Sequence, residues 1–173
     1  MHLLIYNMDD VGDGSVVATA VFTTAAQIAG RLLGSQVVAQ AGSATVSAYR
    51  RFRFLVNASG AIIPKGTPVM TKAGETSAYK VTPCTANIAQ VRMQGIPQCD
   101  VPIGAGFYAL VEGPSAASCG VLSNGTVTVD VPQTTAAAGR GTDAVVGTNE
   151  SWGFATATNN VAGTLGACFV KLP

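Results

Sequence analysis

Charged side chains are scarce in this chain. Of 173 residues ten are basic and nine acidic, so 11% carry charge, against roughly 25% in an ordinary soluble domain. The formal net charge of +1 leaves no electrostatic footprint for nucleic acid and no polybasic patch for a membrane surface. Self-repulsion is correspondingly weak, which favours assembly. Histidine is nearly missing as well, since His2 is the single one. Triad and general acid–base chemistry need a titrating group beside a nucleophile. A lone histidine at position 2 supplies no such arrangement, and no catalytic residue is expected.

Other absences narrow the field further. Cys84, Cys99, Cys119 and Cys168 lie far apart with no CxxC pair, so the local ligand pairs of a zinc site are missing. They read as buried or half-buried thiols in a reducing cytoplasm, although the spacing leaves a Cys84 to Cys99 bridge open. Asp9, Asp10 and Asp13 lack the spacing and closing Glu of an EF-hand and read as a solvated loop. Gly104-Ala105-Gly106 and Gly139-Arg140-Gly141 do not extend into GxGxxG or a Gly-Lys-Ser/Thr ending; they read as turns. Neither metal nor cofactor is expected. Residues 14–30 and 151–170 are uncharged and approach membrane-spanning length, but Thr, Ser, Gln, Asn and Gly interrupt both. The N-terminus lacks a basic n-region and soon meets Asp9, so neither export nor a membrane anchor is expected.

What the chain does have is small apolar residues diluted by Thr, Ser and Asn, a composition suited to close sheet packing. Residues 1–50 hold a dense run of Ala, no proline and one helix signal. That signal is Thr23 or Thr24 as N-cap, Gln27 completing a capping box, Ile28 and Leu32 on one face, and Gly34 as the stop. A Val-rich strand is expected over 15–22. This region reads as an extended N-terminal arm or appended subdomain that includes one short helix. From residue 51 to 173 short β runs alternate with turn residues, the pattern of a small β-barrel or β-sandwich. The fold class is therefore all-β. Phe52, Phe54 and Val56 fall on one face of a strand and Arg51 and Arg53 on the other. Thr126-Val127-Thr128-Val129-Asp130-Val131 alternates most clearly, and Asn124-Gly125 before it suits a type I′ hairpin turn. Arg50, Arg51 and Arg53 form the one basic cluster. It reads either as a solvated strand face or charge-protected edge, or as a docking surface for an acidic partner.

Residues 60–69, with Pro64-Lys65-Gly66-Thr67-Pro68-Val69, resemble the Lys-Gly-Thr-Pro-Val turn and strand of tailed-bacteriophage capsid cement, or decoration, proteins. The resemblance continues through 91–96 and through 101–113, which is similar to a glycine-bearing hairpin of that family. It runs on to Ala136-Ala137-Ala138-Gly139 and the closing Cys168-Phe169-Val170. It covers residues 51–172, while residues 1–50 have no matching part, and Gly95-Ile96-Pro97 stands where the family has Gly-Val-Ala.

The resemblance implies a virion structural protein on the capsid exterior, made in the host bacterial cytoplasm. Such a protein binds the major capsid protein and further copies of itself, as a homotrimer more readily than a homodimer, and clamps neighbouring capsid subunits of the expanded head. Arg50, Arg51 and Arg53 are then the expected capsid-docking residues, and the arm of residues 1–50 orders on assembly. Two other classes stay open. A head-fibre or carbohydrate-binding β domain would use Trp152 with Tyr49, Tyr79 or Tyr108 as a stacking platform. An enzyme would require one of the four cysteines as nucleophile.

Overall fold

The structure, a computed structural model, describes residues 3–5, 20–41, 48–115, 120–145 and 147–173. It is organised around β8 (Gly106–Pro114) and β4 (Ala48–Asn57), whose aromatic and β-branched residues favour a pleated, buried position. The two pair antiparallel from Arg51↔Glu112 to Val56↔Gly106, and a bulge between Arg51 and Phe52 skips Val111. The other edge of β8 is shared by three short partners. These are β2 (Val21–Phe22), β7 (Met93–Pro97) and β14 (Cys168–Lys171).

The pairings return on themselves. β4 runs parallel to β6 (Lys80–Pro83), β6 pairs with β5 (Val69–Thr71), β5 with β7 and β7 with β8. Leu55, Val69, Val81, Phe107 and Ala109 of these strands, with Ile63 and Val101 from a bridge beside them, form one buried cluster. The sheet continues past this ring on both sides. On one side β3 (Gln36–Ala41) joins β4, and β1 (Leu3–Ile5) joins β3 in parallel. On the other side β14 leads to β12 (Gly153–Ala155), β10 (Pro132–Ala136) and β11 (Arg140–Asp143). A second cluster, including Phe52, Met93, Leu110, Trp152 and Val170, joins the ring to this extension. A two-stranded piece, β9 (Val121–Leu122) with β13 (Leu165–Gly166), forms a separate small sheet that packs on the core through Val121. The class is all-β, as composition and turn spacing predict, but its form is one large mixed sheet rather than a clean barrel or a two-sheet sandwich.

The expected division near residue 50 falls within β4, and β2 and β3 are hydrogen-bonded into the same sheet as the rest. The helix, α1, spans Ala25–Ala29, one turn instead of three. Thr24 is its N-cap and the capping box with Gln27 is formed. It ends at Gly30 because the following backbone turns to β4: Gly34 N–H donates to Phe54 O at 2.9 Å and Phe54 N–H to Ser35 O at 2.9 Å. Leu32 consequently faces solvent. Phe22 holds this region down, contacting Phe54 at 5.7 Å and Tyr108 at 6.1 Å between ring centroids, with the Arg31 guanidinium 3.6 Å above its face. Of the strand expected over 15–22, only Val21 and Phe22 lie in described strand; residues 15–19 fall outside the described residues.

The hairpin expected at Asn124-Gly125 and residues 126–131 is not formed. Asn124 does not take positive φ, and residues 126–131 build no strand. Their backbone groups are satisfied from both sides by other means. Thr128 N–H donates to Asp143 Oδ1 at 2.8 Å, Val129 N–H to Thr158 Oγ1 at 3.2 Å, and Asn159 N–H to Val127 O at 2.7 Å. Val127 is buried, but Val129 is 41% exposed, so the three valines do not share a buried face. The Lys65-Gly66 turn is formed as expected. Gly66 takes φ +76°, and a Cβ there would stand 2.4 Å from Leu165 Cδ2 and 2.5 Å from Gly120 O.

Candidate interaction surface

The basic cluster on β4 does not stay together at the surface. Arg53 is 9% exposed; its Nη1 donates to Gln94 Oε1 at 3.0 Å and its Nη2 to the Pro173 carbonyl at 2.6 Å. Burial pushes this guanidinium below its usual pKa, while Tyr79 nearby acts the other way. The expectation that Arg53 projects from a solvent-facing or docking face is thus corrected. Strand alternation cannot register that a second layer, here Gln94 of β7 and the chain end at Pro173, covers that face. Arg51 is half-buried and pairs with Glu112 at 2.8 Å across the β4–β8 ladder. Arg50 is half-buried, beside Tyr49, which is 65% exposed. The surface available for docking on β4 is therefore Tyr49, Arg50 and the Arg51–Glu112 pair.

The stacking platform built on Trp152 is overturned by burial, because Trp152 is 2% exposed and belongs to the core. Tyr108 packs between Phe22 and Phe54, and the Tyr79 ring lies against Gly34. Sequence reasoning passed over a different aromatic feature. Phe154 of β12 and Phe169 of β14 are cross-strand partners, their rings 5.3 Å apart and 11° from parallel. They line an open groove of about 610 Å³, together with Pro132, Leu172, Asp130 and Lys171. The signal available in the sequence was weak: Phe154 follows the more conspicuous Trp152 by two positions, and only the register shows that it meets Phe169.

Cys84 and Cys168 offer little nucleophilic chemistry. Cys84 is a buried thiol, so the bridge to Cys99 is not formed. Burial pushes its pKa up to about 12, and that of Cys168 up to about 11, opposed in the latter by a hydrogen bond to Ser115. Both stay protonated near neutral pH. Cys119, His2 and the Asp9, Asp10 and Asp13 triplet lie outside the described residues. Among the described residues no three His, Cys, Asp or Glu side chains converge as metal ligands, and no helix is long and apolar enough to cross a membrane. Comparison with protein-family models, curated proteins and solved structures returns no match.

Proposed function

We propose that this chain is a non-enzymatic virion structural protein that binds the outer surface of a tailed-bacteriophage capsid. It stabilises the expanded head by clamping neighbouring major capsid subunits. The observation that supports this reading most is spatial: the separate segments carrying the cement-protein resemblance are neighbours in the fold. Ile63 of the 60–69 segment bridges Val101 of the 101–113 segment. Gly113, at the end of the 101–113 segment, pairs with Val170 of the closing strand. The Ala136-Ala137-Ala138-Gly139 turn packs on the 60–69 segment, where a Cβ at Gly139 would stand 2.4 Å from Thr67 Cγ2.

Mechanistically the role needs no covalent step. Each copy contacts more than one capsid subunit, so weak individual contacts multiply through effective concentration. A surface with so few charges fits extensive protein contact, since charged residues are depleted at interface cores. Tyr49, Arg50 and Arg51 supply the polar docking edge, with copies of the same chain and the major capsid protein as partners. Co-sedimentation with expanded capsids assembled without this protein tests the reading. Binding is expected, and it should weaken in Arg50→Glu and Arg51→Glu variants whose unfolding transitions match wild type. Absence of the protein from every capsid pellet would overturn the proposal.

A further inference from the structure

The groove at Phe154 and Phe169 lies on the extension of the sheet, on strands that do not carry the docking edge of β4. We infer that it is a two-fold contact between two copies of this chain. In this contact Phe154 of each copy enters the groove of the other, and Asp130 of each faces Lys171 of the other.

Two observations lead there. Phe154 is 40% exposed although its cross-strand neighbours Pro132 and Phe169 flank it and its ring stacks on that of Phe169. It therefore presents apolar surface in a groove lined further by Pro132 and Leu172.

The charges select the occupant. Asp130 and Lys171 both line the groove, and among the described residues neither forms an ion pair. A surface holding one acid, one base and an aromatic knob beside a groove is complementary to itself. Rotation by a two-fold axis sets each Asp130 against a Lys171 and each Phe154 against a groove, as an isologous interface requires. The acid is also held in place: Asp130 occupies a turn at φ +61°, with Val131 N–H bound to Thr128 O at 3.2 Å. Of the two assemblies implied by the cement-protein resemblance, this contact selects the dimer. It concerns the free protein and stands whether or not the chain binds a capsid.

Sedimentation equilibrium of the full chain, without capsids, tests it. A dimer is expected that dissociates on dilution and weakens with added salt. Phe154→Asp, Asp130→Lys and Lys171→Asp should each weaken it by at least about tenfold, since like charges set face to face cost several kcal/mol. The Asp130→Lys/Lys171→Asp double variant should recover most of the loss. Asp130→Asn, a residue that tolerates positive φ, should weaken the dimer less than Asp130→Lys and guards against a folding defect, with thermal unfolding of each variant as the control. A monomer at the highest soluble concentration would overturn the inference. So would an oligomer indifferent to all three substitutions, or a double variant no better than the singles.

Discussion

Arg53 and Arg51 sit two positions apart on the same strand and have opposite fates. Arg53 lies under Gln94 and Pro173 with two hydrogen bonds, whereas Arg51 meets Glu112 in a half-solvated ion pair. A lysine cannot reproduce the planar fork that reaches both acceptors. Arg53→Lys should therefore destabilise the fold by about 1–3 kcal/mol, and Arg51→Ala by less than about 1 kcal/mol. Urea unfolding measures both, and equal effects would contradict the difference in burial. The cysteines give a pH test. The Cys84 thiol has its folded pKa raised to about 12, above that of an unfolded thiol near 8.5. Its contribution is then fully present below the unfolded value and is lost as pH rises toward the folded one, because only the unfolded chain ionises in between. The stability advantage of wild type over Cys84→Ala should shrink between about pH 8.5 and pH 11. A difference that stays constant across that window would contradict the burial of this thiol. At this scale burial of Cys84, Cys168 and Trp152 follows from residue type alone, since both residue types are usually interior; the withdrawal of Arg53 depends on a partner far away in sequence.

The elements divide in the same way between local and distant causes. The capping box at Thr24 and Gln27 and the turn at Gly66 are made by residues a few positions apart, and the sequence shows both. The length of α1 and the fate of residues 126–131 are not local. β4 draws the backbone of Gly34 and Ser35 out of the helix, and Asp143, Thr158 and Asn159 occupy the groups that a hairpin would have used. Alternation in 126–131 was real, but a strand also requires an available neighbour. β3 illustrates the converse: Gln-Val-Val-Ala-Gln-Ala is too small and polar to stand out, yet it pairs along β4 through six positions. The turns allow a direct check. Gly66 and Gly74 both take positive φ, but a Cβ at Gly66 would strike Leu165 and the Gly120 backbone, and one at Gly74 meets nothing within 4 Å. Gly66→Ala should destabilise by about 2–4 kcal/mol and Gly74→Ala by about 1 kcal/mol. Thermal or urea unfolding of the pair decides whether packing at Gly66, beyond its φ alone, holds the turn to β9 and β13.

For the whole molecule the governing fact is the low charge of the chain. Within the chain it is matched by a sheet that buries apolar residues on both sides of β8 and β4, in two clusters. At the surface it leaves exposed aromatic and aliphatic side chains, including Tyr49, Ile62, Ile103 and Phe154, among few charges. The all-β class was legible because turn residues and β runs recur along the chain. The sheet order was not, because β4 reaches β6 and β8 across long stretches of sequence and β8 takes three partners along one edge. The most direct measurement is the temperature at which expanded capsids assembled without this protein lose their integrity, followed as the purified protein is titrated to saturation. A clamp requires saturation at a fixed number of copies per symmetry-related position of the shell and a disruption temperature that climbs with occupancy. Binding that saturates without raising that temperature, or no binding at all, would contradict a stabilising role.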